Sequence, residues 1–153
     1  MTRTNRGGLA TIVVGVLVVM SLTSCTFIAR EGQNMRDEQR AALHIQVQEA
    51  VGLAVPEAAD VGVTTGMDGF ATVLSVDLEL PDPADASVDL VDRAFGAAFA
   101  VDGGQTTFIQ LSLRSGDSPI PMADIIAEMG VQMSPTALDI SLDDQELAER
   151  YGN

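Results

Sequence analysis

The sequence is poor in the residues that most enzyme and metal sites require. It contains no lysine and no tryptophan, and cysteine, histidine and tyrosine occur once each. Because Cys25 is the only cysteine, an internal disulfide is impossible and the core alone must stabilise the domain. The single histidine, His44, lies among glutamines, and we expect a solvated residue on a helix face, not a metal ligand or general base. No serine-hydrolase, zinc-protease or phosphate-loop motif is present, so the sequence predicts no catalytic residue, metal site or cofactor.

Positive charge is scarce as well. All 22 acidic residues follow residue 24, but only six of the eight arginines do, so residues 25–153 carry a balance of −16. Such a surface repels nucleic acid and anionic lipid headgroups, and we expect no nucleic-acid partner. The charge favours solubility and would also suit a basic partner or divalent cations.

The longest apolar run lies near the N-terminus. Arg3 and Arg6 precede an apolar stretch from Leu9 to Leu22, which is followed by small residues and Cys25. A short cationic segment, an apolar segment and a small-residue cleavage site are typical of a secretory signal peptide.

The end of this run, Leu22-Thr23-Ser24-Cys25, resembles the lipobox of bacterial prolipoproteins. The resemblance implies that residues 1–24 are a signal peptide and that a dedicated peptidase recognises Leu22, Thr23 and Ser24. It further implies that Cys25 receives a diacylglyceryl group and becomes the mature N-terminus. We therefore expect a lipid-anchored protein on the extracytoplasmic face of the cell membrane.

A transmembrane anchor is the alternative. No charge interrupts the 22 residues from Gly8 to Ala29, and such a stretch is long enough to span a bilayer. Cys25 would then be an apolar residue with no further role. Both interpretations export the rest of the chain, because Arg3 and Arg6 stay on the cytoplasmic side.

The remaining chain divides into a tether and one domain. Residues 25–36 are polar beyond the anchor, and about ten flexible residues would reach roughly 17 Å on average. Residues 37–153 are enough for a single domain with its own core.

Hydrophobic periodicity predicts the first half of this domain. A helix is expected over Asp37–Ala54, although Leu43–Gln48 alternates as a strand would. Ala59–Thr65 and Phe70–Leu80 are expected to form a hairpin, with Gly66 and Gly69 supplying the positive φ of its turn.

The second half continues with helices and strands. Asp82 is expected to cap a helix that buries the stripe Val88, Val91, Phe95 and Ala98 and ends at Gly103-Gly104. A half-solvated strand is expected over Thr106–Arg114, where the apolar residues Ile109, Leu111 and Leu113 alternate with Gln110, Ser112 and Arg114. A short helix is expected over Met122–Gly130. A fourth strand over Thr136–Ser141 would precede a last helix, capped by Ser141.

Together these elements predict a small α+β sandwich. We expect a largely antiparallel sheet of three to four strands with helices packed on one face. The opening order α-β-β-α-β is similar to that of BON-type envelope modules, a likeness of topology that carries over no residues.

Three groups of residues invite a site interpretation. The acids between positions 77 and 92 could bind calcium, but they lack EF-hand spacing, and capping or solvation explains them better. Thioethers could bind Cu(I), but the helical spacing of Met122 and Met129 indicates core filling. Arg93 and Arg114 are expected to form salt bridges, with an anion site as the weaker alternative. The acids are Asp77, Glu79, Asp82, Asp85, Asp89 and Asp92, and the other methionines considered are Met35, Met67 and Met133.

Two functions fit this sequence. One is a non-enzymatic lipoprotein that binds an envelope protein or small ligand or serves as an accessory subunit. The other is an envelope hydrolase that uses a pair of carboxylates facing a cleft. We favour the first, because the sequence places many acids but no cleft.

Overall fold

The computed structural model describes residues 37–134 and 136–152. The predicted signal peptide, the lipobox with Cys25 and the predicted tether therefore lie outside the described residues. Residues 40–153 form one compact unit, to which the following description applies.

The described residues contain four helices, five strands and one 3₁₀ turn. In chain order these are α1 (residues 37–54), β1 (Asp60–Asp68), β2 (Ala71–Glu79), the 3₁₀ turn (Pro83–Asp85), α2 (Val88–Asp102), β3 (Phe108–Ser115), β4 (Ser118–Pro119), α3 (Ala123–Met129), β5 (Asp139–Asp143) and α4 (Asp144–Tyr151).

The strands form one mixed sheet. β2 lies between β1 and β3, and β4 and β5 both pair with β3. β1–β2, β3–β4 and β3–β5 are antiparallel, whereas β2–β3 is parallel, with α2 as the crossover between them. The expected antiparallel character is thus correct for all but one pairing, and the sheet has five strands where three to four were expected.

Alternation along the strands separates the two faces of the sheet. In β2, Leu74, Val76 and Leu78 are buried, while the residues between them are half-buried. β3 and β5 show the same alternation. The buried set joins apolar residues of the helices in one core, which includes Val47, Val51, Leu90, Val91, Phe95, Ala98, Ile126 and Leu147. The predicted α+β fold with helices on one face is confirmed.

The hairpin turn differs from the expected one. The strands extend to Asp68 and Ala71, so the loop consists of Gly69 and Phe70 alone. Gly69 has φ +62°, and Phe70 lies outside the positive-φ region, as in a type II′ turn. Gly66 is not part of the turn, because it lies within β1 opposite Val73.

Two helix caps also differ. Asp82 caps the 3₁₀ turn, where its Oδ1 accepts from the amide of Ala84, and Ser87 caps α2. Ser141 does not cap α4, because β5 continues to Asp143. Asp143 is the cap and forms a reciprocal capping box with Glu146.

Arg93 joins α2 to the C-terminal end of α1. Its guanidinium contacts Glu57 at 2.9 Å and Asp89 at 3.0 Å, which confirms the expected salt bridges. It also donates to the carbonyl oxygen of Ala54, the last residue of α1. An otherwise unpaired helix-end carbonyl thereby gains a charged donor.

Tyr151, at the end of α4, packs against α2. Its hydroxyl donates to Asp92 at 2.7 Å, and the two residues are each partly buried. Burial first, and then the neighbouring Asp92 carboxylate, raise the pKa of Tyr151 above its ordinary value. Asp92 is therefore not the freely solvated residue expected from the sequence.

Alkaline titration should report this contact directly, because Tyr151 is the only tyrosine. We expect tyrosinate absorbance to appear at a pH above the ordinary value of about 10 in the folded protein and near it in denaturant. Since the raised pKa belongs to the folded state, its stabilising contribution is complete below the ordinary pKa and is lost as pH rises through the folded one. Identical titration curves in the two states would contradict the Tyr151–Asp92 contact.

Candidate functional site on the open face of the sheet

The sheet face opposite the helical layer carries mainly polar side chains, and we call it the open face. Strand register arranges these side chains in three adjacent rows. The first contains Asp60, Glu79 and Arg114; the second contains Gly62, Asp77, Ser112 and Asp139; the third contains Thr64, Ser75, Gln110 and Ser141.

The side chains of the second and third rows are linked by hydrogen bonds. Ser112 Oγ donates to the Asp77 carboxylate, and Gln110 Nε2 donates to the Asp139 carboxylate. Ser75 Oγ donates to Gln110 Oε1 at 3.4 Å. Because these partners come from neighbouring strands, the backbone sheet holds the polar groups in fixed relative positions.

The first row is an ion-pair row. The Arg114 guanidinium lies 2.8 Å from the Glu79 carboxylate and 3.7 Å from that of Asp60, which confirms the expected salt bridges. Each of these side chains is partly exposed, so the pairs contribute little stability. The two ion pairs neutralise Arg114, the cation in the row next to Asp77 and Asp139. The charges that remain in the second row are therefore negative.

Two concavities open onto this face. One has a volume of about 520 Å³ and lies over Asp77, Ser112 and Asp139, with Asp117 and Leu138 at its border. The other has a volume of about 600 Å³ and extends toward Phe108 and the end of β1. Ser75 and Gln110 line both, so the two form one continuous surface, which is polar in the middle and includes the apolar side chains of Met67, Val73 and Phe108 at one end.

This surface is chemically suited to bind a cationic or hydroxyl-rich group. Asp77 and Asp139 are acceptors, while Ser75, Ser112 and Gln110 offer hydroxyl and amide groups that can donate or accept. Asp77 and Asp139 lie in one row, with Ser112 between them, so their backbones are separated by two strand spacings of about 4.8 Å each.

The acids singled out in the sequence do not converge. Asp77 and Glu79 lie on the open face, Asp82 and Asp85 belong to the 3₁₀ turn, and the last two, Asp89 and Asp92, lie on α2. Within the part of the chain that the structure describes, no group of three or more histidine, cysteine or carboxylate residues is arranged to hold a metal ion.

His44, Met122 and Met129 lie outside the open-face rows, whereas Met67 lines the second concavity. His44 lies on a helix, α1, as expected, but it is half-buried with its Nε2 2.5 Å from Thr65 Oγ1, so it is less solvated than the sequence predicted. Met122 and Met129 are buried in the core, as expected for core filling. Met67 is exposed on β1, and Met35 lies outside the described residues.

Sequence reasoning missed Gln110, Ser112 and Asp139 as members of a common surface. The alternation of β3 did identify Gln110 and Ser112 as solvent-facing. No local signal could place Asp139 beside them, because β5 follows β3 only after a loop, β4 and α3.

Comparison with protein-family models finds no match, and comparisons with curated proteins and solved structures find no significant match. Among the described helices, none combines the length and apolar character needed to cross a membrane. The apolar stretch from Gly8 to Ala29 lies outside the described residues.

Proposed function

We propose that this protein is a lipoprotein, anchored through Cys25 on the extracytoplasmic face of the cell membrane, whose domain binds another envelope component without catalysing a reaction. The observation that carries the anchor is the lipobox-like pattern Leu22-Thr23-Ser24-Cys25 behind an apolar run. Two acyl chains suffice for stable membrane attachment, at about 0.8 kcal/mol per buried CH₂.

The open face is the binding surface in this proposal. Its rows present pre-positioned polar groups over a surface wide enough for a peptide segment or a glycan, and its second row is acidic. Because the domain as a whole is strongly acidic, a partner with basic or hydroxyl-rich chemistry would meet complementary charge and hydrogen-bonding groups there.

Replacing Gln110 by arginine tests this surface. Gln110 lies where the two concavities meet, so the longer arginine side chain should occupy space in both. Its positive charge should also neutralise part of the negative charge of Asp77 and Asp139. We expect the Gln110→Arg variant, purified from detergent-solubilised membranes, to lose most of the partner that co-purifies with the parent protein.

The matched control is Gln145→Arg, which makes the same change at an exposed position of α4. It should retain the partner in full. Equal recovery of the partner with both variants would place the binding surface elsewhere on the domain.

A hydrolase is the second candidate function, favoured by the positions of Asp77 and Asp139. Inverting glycosidases use carboxyl groups separated by about 6.5–9.5 Å. The backbones of Asp77 and Asp139 are two strand spacings apart, about 9.6 Å, with both side chains on the same face of the sheet. Against it, each of these carboxylates already accepts a hydrogen bond from a neighbouring side chain. Hydrolysis of purified envelope glycan by the parent but not by Asp139→Asn would favour this candidate over simple binding.

A further inference from the structure

The tip of the β1–β2 hairpin, residues 67–70, exposes two large apolar side chains. Phe70 is fully exposed, at 104% of its reference area, and Met67 is 72% exposed. The two lie within four residues of each other around the turn at Gly69. Phe70 gains nothing from the core of the domain, and together with Met67 it forms a small apolar patch, a feature that can mark a contact with a protein or a membrane.

The tip projects beyond the rest of the sheet. Val73 of β2 pairs with Phe108, the first residue of β3, whereas the hairpin continues to the pair Asp68–Ala71. Since each strand residue adds about 3.3 Å, the turn stands several ångströms beyond the end of β3. If this end of the sheet approaches a membrane or another molecule, Phe70 makes contact before the acidic side chains of the open face do.

The tip lies at the end of the unit where the chain enters. The C-terminal end of α1, at Ala54, is only a few residues before the start of β1 at Asp60. His44, in the N-terminal half of α1, contacts Thr65 near the C-terminal end of β1. The two elements therefore run in opposite directions. The first turn of α1 within the unit, at Arg40, is on the same side as the hairpin tip.

The proposed anchor lies a short distance upstream of this entry point. Twelve residues, 25–36, lie between the lipidated cysteine of the proposed function and the first residue of α1 at position 37, counting the cysteine itself. A segment of that length would have an average reach of roughly 19 Å. This reach keeps the entry end of the unit near the bilayer and gives the tip a high local concentration of lipid.

We infer that Met67 and Phe70 at the hairpin tip insert into the interfacial region of the bilayer and form a second, non-covalent membrane contact. The inference rests on the proposed function, because it requires the anchor at Cys25. Lipid is the occupant that the position of the tip favours, because the proposed anchor holds the tip near the bilayer. Met67 and Phe70 are uncharged apolar side chains that can enter the boundary between headgroups and acyl chains, and Asp68 carries the only charge among residues 67–70. A basic protein partner would be drawn to the acidic open face instead.

Tryptophan fluorescence offers a direct test, because the protein contains no tryptophan. The Phe70→Trp variant would be purified in its lipidated form and reconstituted into phosphatidylcholine vesicles with ordinary or brominated acyl chains. Bromine atoms near the headgroup end of the acyl chains quench tryptophan that enters the interfacial region and leave tryptophan in solution unquenched. We expect this variant to lose most of its emission in brominated vesicles and to show a blue-shifted maximum in ordinary ones.

The control is Leu53→Trp. Leu53 is 85% exposed on α1 but lies at its C-terminal end, away from the hairpin tip. Its emission should be the same in both kinds of vesicle. Unquenched emission from Phe70→Trp, or equal quenching in the two variants, would overturn the inference. A blue shift without bromine quenching would also overturn it and would indicate a protein contact at the tip.

The mass of the same preparation separates this inference from the proposed function. Acylated protein whose Phe70→Trp emission is unquenched contradicts the tip insertion alone. Protein that carries no acyl group on Cys25 contradicts the proposed function, and the tip insertion with it.

Discussion

Phe95→Ala should lower the free energy of unfolding by about 3–5 kcal/mol. Phe95 is completely buried on α2 and belongs to the core between the helices and the sheet. Its removal forfeits the transfer free energy of the ring and leaves a cavity that the surrounding residues fill only in part. Since single domains are stable by about 5–15 kcal/mol, this loss could unfold much of the population.

The matched control is the same substitution at an exposed phenylalanine, Phe70→Ala. Phe70 contributes no core packing, so we expect its loss to change stability by about 0.5 kcal/mol or less. Asp89→Ala should behave similarly, because its pairing with Arg93 is solvent-exposed. Urea denaturation followed by circular dichroism measures all three. A larger loss for Asp89→Ala than for Phe95→Ala would mean that the burial of α2 is assigned to the wrong face.

Cys25→Ser should abolish membrane attachment of the mature protein. The serine hydroxyl cannot take the place of the thiol that receives the diacylglyceryl group in the proposed pathway, so no acyl chains would be present to enter the bilayer. Fractionation of cells expressing parent and variant measures the effect. We expect the parent in the membrane fraction and the variant unprocessed or released from it.

The matched control for this change is Ser24→Ala. It keeps a small residue beside the cysteine and leaves the thiol in place, so processing and attachment should be unchanged. If Cys25→Ser is found in membranes to the same extent as the parent and at the same mass, residues 1–24 are not removed in a cysteine-dependent step, and the apolar stretch from Gly8 to Ala29 is a transmembrane anchor instead.

The positions of the helices and long strands could be predicted because they depend on local periodicity. Val91, Phe95 and Ala98 recur at helical spacing, and all three are buried. In β3 the alternation of Ile109, Leu111 and Leu113 with polar residues identified the open face before any pairing was known. The side of each element that faces the core is thus encoded within about ten residues of sequence.

Features that depend on distant partners or on competing local signals could not be predicted. Gly66 and Gly69 are equally able to form a turn, and only the register of β1 with β2 selects Gly69. Ser141 and Asp143 both have an acidic residue three positions later, but the complete burial of Leu142 extends β5 and moves the cap to Asp143. The contact of His44 with Thr65 is likewise set by the packing of α1 against β1.

The candidate site depends even more on pairing. Asp77 and Asp139 occupy one row only because β2 and β5 both flank β3. Asp77 was visible from the sequence as a solvent-facing acid, whereas Asp139 was not singled out, and their common surface arises from the topology of the sheet. The polar character of the open face was therefore predictable, but the arrangement of its rows was not.

The mass of the mature N-terminal peptide, released from protein extracted from membranes, tests the central claim most directly. Our account predicts that this peptide begins at Cys25 and carries the added mass of a diacylglyceryl group. A peptide that still contains residues 1–24, with an unmodified Cys25 thiol, would contradict it.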